Sequence, residues 1–378
     1  MYPRAKQEQY LEGTYQVKEN YADCDLLRFY NRVKEGNQDV QVLPVSLFEK
    51  EEYLLTINEN GVTLHTSTEE AIFRGATTLY QLVQEHEGKL PYAVIADKPD
   101  LKRRGYMLDI SRSKMPTVET IKQYIDLLAL LKYNEFQLYM ESNCFKYSAY
   151  PKYTENFDCL TPEDIHELDQ YCADRFIDLV PNQNSLGHMG YWLAQDEFKH
   201  LGLGDETHKN STTLNPLLPE SMEFLDNLYG SLLPHFRSRW LNVGMDEAFE
   251  LGKYQMEEYT AMHGKDYVFM EHLNRVDQLA RDKYGKKIMF WADMIYKYED
   301  LYHMVPRDAI ALEWGYELIQ SQVMTAHCIN FQKAGIKYYV CPSCNVHLSF
   351  TGRFDVTSFN IRTAAEIARD YGAEGLLM

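Results

Sequence analysis

The chain has 378 residues, a formal net charge of −18 at pH 7 and a hydrophobic share of 45%. This length predicts one large domain or two to three smaller ones, with enough apolar residues for a sizeable core. The acidic balance argues against a nucleic-acid partner or an anionic membrane partner, because either would select for a basic surface.

Cysteine spacing and the start of the chain bear on the cellular compartment. The seven cysteines are odd in number and irregularly spaced, which argues against a disulfide framework. Residues 1–7 contain no apolar run, so we expect no signal peptide. No apolar stretch reaches the length of a membrane-spanning helix. Together these features predict a reduced, cytoplasmic protein.

Residues 1–97 have the pattern of a small α/β domain. Two strand-like runs at 52–57 and 62–66 flank an Asn-Glu-Asn-Gly turn at 58–61, which predicts a hairpin. Residues 69–85 then change to helical periodicity. Nothing in this part of the chain indicates chemistry, and a Lys-Pro pair marks the expected boundary to the next domain.

From residue 98 to residue 378 the pattern alternates short apolar runs with amphipathic stretches. The runs lie at 106–110, 135–140, 177–180, 241–243, 288–291, 309–312, 337–340 and 375–378. Eight β–α repeats over this length predict a (β/α)8 TIM barrel over 98–378. A doubly wound open sheet is the alternative, but it would favour a glycine-rich phosphate turn after the first strand. Residues 111–116 contain no glycine.

The stretches between the runs have the features of helices. Residues 117–131 carry an apolar stripe. Thr161 precedes a proline and two acids, which is typical of a helix start. Residues 262–284 and 358–371 are predicted to be helices as well.

Two adjacent carboxylates, Asp246 and Glu247, follow the fourth apolar run. Neighbouring acids repel each other and lose hydration when they are enclosed, so a site that uses both would explain their presence. Carbohydrate chemistry is one common use. Successive residues of a strand face opposite ways, so both acids reach one ligand only if the strand ends or twists here. Gly244 permits such a change.

Polar and aromatic residues recur where the predicted barrel strands end, and function in a barrel gathers at that end. They include Arg112, Glu141, His188, Trp291 and Trp314. Each has an ordinary structural alternative. Arg112 and Glu141 would form ion pairs, His188 would be a structural histidine, and the two tryptophans would be core. Their common placement favours a site.

Other motifs are absent or weak. No P-loop, His-Glu-x-x-His or Gly-x-Ser-x-Gly sequence occurs, so nucleotide hydrolysis, zinc proteolysis and serine esterase chemistry lose their usual markers. Cys341 and Cys344 have CxxC spacing, but no second pair accompanies them and we expect no redox or zinc function. Asp293 and Glu313 also follow predicted strands, where ion pairing is as good an explanation as function. No metal and no cofactor is expected.

Four segments of the chain occur in an order that is typical of one known family. They are 73–79 (FRGATTL), 104–112 (RGYMLDISR), 185–188 (SLGH) and 242–247 (NVGMDE). Together they resemble a small-domain helix, the first barrel strand, the Gly-His after strand three and the Gly-x-Asp-Glu signature of glycoside hydrolase family 20, the β-N-acetylhexosaminidases. The family usually has a second glycine where Met245 stands. Its members also continue past strand eight, so the resemblance implies a C-terminally truncated sequence.

The resemblance implies an exo-acting enzyme that releases terminal N-acetylglucosamine or N-acetylgalactosamine. Its retaining hydrolysis would be substrate-assisted, with the 2-acetamido oxygen attacking C1. Glu247 would act as general acid and then as base, and Asp246 would accept the acetamido N–H. The implied partner is a small molecule or oligosaccharide with a terminal β-linked N-acetylhexosamine.

The resemblance also implies binding roles. Arg112 would bind hydroxyls at the non-reducing end, where its fork of donors suits a diol. Trp291 and Trp314 would surround the acetamido methyl group. His188 with Glu141 would position the acid pair.

A tyrosine from strand seven holds the acetamido oxygen in the family. Tyr338 and Tyr339 are the candidates here. Because alternation lets only one of them face inward, the pattern leaves the choice open.

Two alternatives to this function stay open from the sequence. Another retaining β-glycosidase would use Glu247 as acid and Glu313 as a protein nucleophile, with no need for a 2-acetamido group. A truncated, non-catalytic sugar-binding barrel is the other.

Overall fold

The computed structural model describes residues 2–21, 23–112, 114–205, 210–317, 320–344, 349 and 351–378. They form two compact units. One comprises Met1–Lys102, Glu119–Asn134 and Gln170–Ile177, and the other comprises Arg103–Val118, Glu135–Asp169 and Asp178–Met378.

The first unit is built on a five-stranded sheet. Its strands are β1 (Gln7–Gln16), β2 (Val40–Pro44), β3 (Tyr53–Asn58), β4 (Gly61–Thr66) and β5 (Lys89–Asp97), in the order β1-β5-β3-β4-β2. The predicted hairpin is confirmed, because β3 pairs antiparallel with β4 and Gly61 takes the positive φ that the turn requires. Buried and half-buried residues alternate along β3, as expected of a strand with one covered face.

Two helices of this unit are α1 (Leu26–Glu35) and α2 (Glu69–Glu85). The sequence predicted α2 with these bounds. The hydroxyl of Thr68 begins this helix by accepting a hydrogen bond from the Ala71 N–H, 3.1 Å away. The apolar side of α2 is buried, which explains the helical period of its sequence.

The second unit contains an eight-stranded parallel sheet. Its strands are β6 (Arg103–Asp109), β7 (Glu135–Tyr139), β8 (Asp178–Val180), β9 (Trp240–Asn242), β10 (Lys287–Trp291), β11 (Ile310–Trp314), β12 (Lys337–Cys341) and β13 (Gly375–Leu377). They pair in the order β8-β7-β6-β13-β12-β11-β10-β9, and a parallel bridge between Asn182 and Asn242 joins the two ends. Each predicted run overlaps one strand, with bounds that differ by one to three residues. The (β/α)8 barrel is therefore confirmed, and the open-sheet alternative is wrong.

Helices separate most of these strands along the chain, and between β10 and β11 the described residues form a 3₁₀ turn instead. The helices are α3 (Val118–Leu130), α4 (Pro162–Ala173), α5 (Gly190–Leu193), α6 (Pro219–Leu232), α7 (Glu257–His263), α8 (Lys265–Tyr284), α9 (Gln320–Ala334) and α10 (Phe354–Asp370). Short 3₁₀ turns lie at Pro151–Tyr153, Lys199–Leu201, Leu233–His235, Tyr254–Met256 and Glu299–Met304. Thr161 caps α4 as predicted. The single helix predicted over 262–284 is two helices, since Gly264 ends α7 with a φ of 85°.

The barrel interior holds a cluster of buried side chains, namely Val180, Met289, Trp291, Ile310, Leu312, Tyr339, Cys341 and Leu377. At the amino ends of the strands, Arg103 forms ion pairs with Glu135 and Asp178, each at 2.8 Å. Glu135 is fully buried, so this pairing offsets the cost of removing its charge from water. Among the described residues, no helix combines the length and the hydropathy that crossing a membrane requires.

Candidate active site

A cavity of about 470 Å³ lies at the carboxyl ends of the barrel strands. Its lining includes six of the nine residues predicted for the site: Arg112, His188, Asp246, Glu247, Trp291 and Trp314. A seventh, Glu141, contacts His188 and Arg112 from just outside the lining. The predicted strand-end residues therefore come together around one cavity.

The turn after β9 resolves the geometric problem of the adjacent acids. The strand ends at Asn242, and Gly244, Met245 and Glu247 then take φ values of 65°, 78° and 47°. This left-handed path lets Asp246 and Glu247 both border the cavity. Left-handed conformations of non-glycine residues cost on the order of 1–3 kcal/mol each and cluster at functional sites. Met245 adopts a conformation that glycine favours, although its side chain is buried.

A chain of hydrogen bonds through the barrel interior supports this turn. The side chain of Gln137 donates to Glu135 at 2.7 Å, and Asn242 donates to Gln137 at 3.0 Å. The side-chain oxygen of Asn242 then accepts from the Gly244 N–H at 3.0 Å. Glu135, Gln137 and Asn242 are all fully buried, so each depends on these partners.

His188 lies between the acid pair and Glu141. Its Nδ1 is 3.2 Å from Glu141 Oε1, and its Nε2 is 3.2 Å from Asp246 Oδ2 and 3.3 Å from Glu247 Oε2. Burial opposes the charged ring, but the carboxylates of Asp246 and Glu141 outweigh this and raise the pKa of His188 to about 10. The ring is therefore an imidazolium at neutral pH, and its charge offsets the repulsion between the acids.

Arg112 is held at the rim by the acids on either side of it. Its guanidinium pairs with Asp109 at 3.0 Å and with Glu141, and it lies over the ring of Tyr139, 5.0 Å from the centroid. Burial opposes ionisation of Glu141, yet its contacts with His188 and Arg112 lower the pKa of this carboxyl. Glu141 thus remains ionised and fixes both cations.

Aromatic rings and unsatisfied polar atoms complete the cavity. Trp291, Trp314 and Tyr316 border it. The ring centroids of Trp314 and Tyr316 are 5.1 Å apart. The indole nitrogens of both tryptophans and Oδ1 of Asp246 are buried without a hydrogen-bond partner among the described residues. Buried polar atoms normally have partners, so this pattern fits a site that receives a polar, partly apolar ligand such as a sugar.

Two family models match consecutive parts of the chain. Residues 5–98 match glycosyl hydrolase family 20, domain 2, and residues 102–366 match the family 20 catalytic domain. The chain belongs to glycoside hydrolase family 20. The family 20 resemblance read from the four sequence segments is thereby confirmed.

Curated relatives carry hexosaminidase names. A "Beta-hexosaminidase" of Akkermansia muciniphila is 30% identical over 230 residues, which are 54% of this chain and 46% of that protein. One of Porphyromonas gingivalis is 26% identical over 317 residues, or 72% of this chain and 40% of that protein. The chain thus spans about half the length of the curated relatives it matches.

Solved structures of family 20 proteins share the fold. A Vibrio harveyi exo-β-N-acetylglucosaminidase in complex with N-acetylglucosamine has a TM-score of 0.77 at 18% identity, covering 100% of this chain and 68% of that one. A Bacteroides fragilis β-N-acetylhexosaminidase has a TM-score of 0.75 at 19% identity, covering 95% and 78%. At such identities the likeness establishes the fold alone.

The structure does not bring the two tyrosines predicted for the family 20 site, Tyr338 and Tyr339, to the lining of the cavity. The hydroxyl of Tyr338 donates to the Tyr371 carbonyl at 2.5 Å, on the side of β12 that faces away from the barrel interior. Tyr339 points into the barrel interior but lies below the cavity, towards the amino ends of the strands. Its hydroxyl donates to Glu135 at 3.1 Å. In the strand register Tyr339 stands beside Leu312, and Cys341 stands beside Trp314. The residue of β12 at the level of the cavity is therefore Cys341.

Glu313 faces away from the cavity. Its carboxyl is 1% exposed and lies 2.9 Å from His327 Nδ1. Burial raises the pKa of Glu313. This placement removes the geometric basis for Glu313 as a nucleophile on a ligand beside Glu247.

Two residues of the site were absent from the predicted set. Tyr316 lies two positions after Trp314. Because side chains two positions apart along an extended chain face the same way, the sequence pattern already indicated Tyr316 as a neighbour of Trp314. Asp293 was noted only as a strand-end acid, yet its Oδ2 accepts the Glu247 N–H at 3.0 Å. Burial raises the pKa of Asp293 to about 6, with the charge of Asp246 adding to the rise and the Glu247 N–H opposing it.

Metal and thiol chemistry have little support at this site. His188, Asp246 and Glu247 are close enough to share a metal ion, with ligand atoms within 4.8 Å of one another. A metal ion would have to displace the proton that the raised pKa of His188 places on this ring at neutral pH. Cys341 and Cys344 border the cavity as free thiols, and burial raises the pKa of both. Raised values disfavour the reactive thiolate.

Proposed function

We propose that this chain is the catalytic part of an exo-acting β-N-acetylhexosaminidase. It removes terminal N-acetylglucosamine or N-acetylgalactosamine from a β-linked oligosaccharide or smaller glycoside by substrate-assisted retaining hydrolysis. One observation carries the proposal. Asp246 and Glu247 stand side by side at a cavity bordered by Trp291 and Trp314, with His188 against both acids.

The first half of the reaction uses the two acids differently. The 2-acetamido oxygen attacks C1 while Glu247 gives its proton to the departing glycosidic oxygen. Asp246 accepts a hydrogen bond from the acetamido N–H and stabilises the positive charge that grows on the oxazolinium ring. The exposure of the two side chains suits these roles, because Glu247 is 39% exposed, as a group that protonates a departing leaving group should be, whereas Asp246 is 15% exposed.

The second half regenerates the acid. Water attacks C1 from the side that the leaving group vacated, and Glu247 takes the proton that the water loses. The C1–oxygen bond of the ring opens and restores the acetamide, so the product keeps the β configuration. The His188 imidazolium stays charged throughout and holds both carboxylates in place.

The remaining residues position the sugar. Arg112 is fixed by Asp109 and Glu141 and offers its outer donors to hydroxyls at the non-reducing end. Trp291 and Trp314 enclose the acetamido methyl group, which gains from apolar contact. The cavity volume falls within the range of about 300–1,000 Å³ that is typical of small-molecule sites. We also propose a small N-terminal domain over 1–97 and a catalytic barrel over 98–378.

The experiment compares aryl β-N-acetylglucosaminide with aryl β-glucoside under identical conditions. We expect hydrolysis of the first and little of the second, because the glucoside has no internal nucleophile. Equal rates would favour a protein nucleophile. Binding of N-acetylglucosamine-thiazoline without turnover of either substrate would favour a non-catalytic sugar-binding barrel. A cytoplasmic location, and the expectation that neither nucleic acid nor membranes are partners, stay predictions from sequence.

A further inference from the structure

The turn that carries the acid pair is held at two points by the end of β10. The Trp291 N–H donates to the Gly244 carbonyl at 2.9 Å, and two residues later Asp293 Oδ2 accepts the Glu247 N–H at 3.0 Å. The two bonds bracket the left-handed segment from Gly244 to Glu247. The first is an ordinary strand contact, whereas the second depends on a side chain.

The hydrogen bond that Asp293 accepts comes from the peptide N–H of Glu247, the residue whose carboxyl would act as acid and base. Glu247 has a φ of 47°, a conformation that L-residues rarely adopt. The direction of its side chain is set by that angle, so relaxation would turn the carboxyl away from the cavity. A hydrogen bond from an N–H to an ionised carboxylate is shorter and stronger than one to a neutral group. Asp293 therefore supplies the strongest available partner for this N–H.

We propose that Asp293 is a positioning residue that holds the main chain of Glu247 so that the acid/base carboxyl faces the substrate. This inference rests on the proposed function, because it concerns the reach of Glu247 toward a glycosidic oxygen. Asp293 is not part of the lining of the cavity. It acts through the backbone of Glu247.

The surroundings make this support sensitive to protonation. Three side chains face Asp293. Asp246 approaches it from the turn, Trp314 approaches it from the end of β11, and Tyr296 approaches it from the segment after β10. No hydrogen bond of good geometry reaches the second, buried oxygen of Asp293, Oδ1, from the described residues, but the nearby Trp314 indole N–H partly opposes the rise in the pKa of this carboxyl. Burial raises the pKa of Asp293 to about 6, so acidification through that range neutralises the acceptor and weakens the bond.

The test uses the full chain with Asp293→Asn and Asp293→Ala, and aryl β-N-acetylglucosaminide as substrate. The asparagine keeps a carbonyl acceptor but cannot titrate, whereas the alanine has no acceptor. We expect Asp293→Ala to lower kcat by about 10²-fold with KM nearly unchanged, since small misplacements of a reacting group have effects of that size. Asp293→Asn should keep most of kcat and lose an ionisation near pH 6 from the pH profile of kcat.

The matched control is Glu313→Gln, a buried carboxyl at the end of the neighbouring strand that does not border the cavity. It should lower Tm and leave the pH profile of kcat unchanged. The inference is overturned if Asp293→Ala retains full kcat, or if Asp293→Asn keeps the wild-type pH profile. If Asp293→Ala does not fold, the pH profile of Asp293→Asn decides the question alone.

A crystal structure of Asp293→Asn or Asp293→Ala gives a readout that is independent of turnover. In the alanine variant the φ of Glu247 should leave the left-handed region, and an unchanged φ near 47° contradicts the inference. Failure of the proposed function has a different signature, namely a wild-type protein that hydrolyses no N-acetylhexosaminide.

Discussion

The backbone carbonyl oxygen of Asp246 lies 1.9 Å from the point that a β-carbon on Gly187 would occupy. Only glycine allows this approach, which lets the loop after β8 and the turn after β9 touch directly. The approach brings His188, the next residue, against both acids. The Gly-His pair is therefore a packing requirement of the site.

Gly187→Ala tests this packing. A methyl group here would displace the Asp246 carbonyl, so we expect a loss of about 1–3 kcal/mol in the free energy of unfolding. The turn should also shift, lowering kcat by about 10²-fold. Steady-state kinetics and thermal unfolding measure the two effects. Gly190→Ala is the control, because its nearest neighbour would be 3.4 Å away and its φ is not positive. Equal effects of the two variants would contradict the account.

Tyr316 and Tyr339 should respond differently to substitution. Tyr316→Ala removes a ring that borders the cavity, so KM should rise. Tyr339→Phe removes the hydroxyl that donates to Glu135, so the free energy of unfolding should fall by about 1–3 kcal/mol while kcat and KM stay constant. Kinetics and denaturant unfolding of both variants decide the point. A KM effect in Tyr339→Phe would restore the original prediction from sequence.

His188 makes stability depend on pH. Its pKa is raised to about 10 in the folded protein, above the ordinary value of 6.5. The folded state therefore holds a proton that the unfolded state has lost, and stability falls as pH rises from about 6.5 to 10. The Tm of the wild type should fall more than that of His188→Gln across this window. His303→Gln, at an exposed histidine, should follow the wild type. Parallel curves for wild type and His188→Gln would show that the ring is neutral.

Glu247→Gln should reveal the general acid through its dependence on the leaving group. Loss of proton donation typically costs 10²–10⁴-fold, so kcat/KM, which reports the step in which the leaving group departs, should fall by about that factor on a disaccharide. The loss should be much smaller on a dinitrophenyl glycoside, whose leaving group needs little protonation. Glu258→Gln, on an exposed position of α7, is the control and should leave both rates unchanged. Uniform loss across leaving groups would argue against this role.

Much of the fold was predictable because each barrel strand is a short apolar run with a polar boundary. The position of Asp246 and Glu247 was also predictable, since they directly follow such a run. The sequence did not predict how far along its strand, relative to the cavity, each inward-facing residue lies. Tyr339 and Cys341 share a face of β12, but only their register against β11 shows which one reaches the cavity. That register follows from how all eight strands stagger.

The backbone contacts of the site were even less accessible to sequence reasoning. The bond from Glu247 to Asp293 joins positions 46 residues apart, and no local pattern indicates it. The left-handed φ of Met245 also contradicts its intrinsic preference. The fold imposes that conformation through the hydrogen bonds around the turn.

In the proposed mechanism, the substrate supplies its own nucleophile beside Asp246 and Glu247. The most direct measurement is kcat/KM for aryl glycosides whose N-acetyl group carries zero, one, two or three fluorine atoms. Fluorine withdraws electrons from the acetamido oxygen and weakens it as a nucleophile. We therefore expect a steep, progressive fall in kcat/KM along the series. Rates that stay constant would contradict it and point to a nucleophile on the protein.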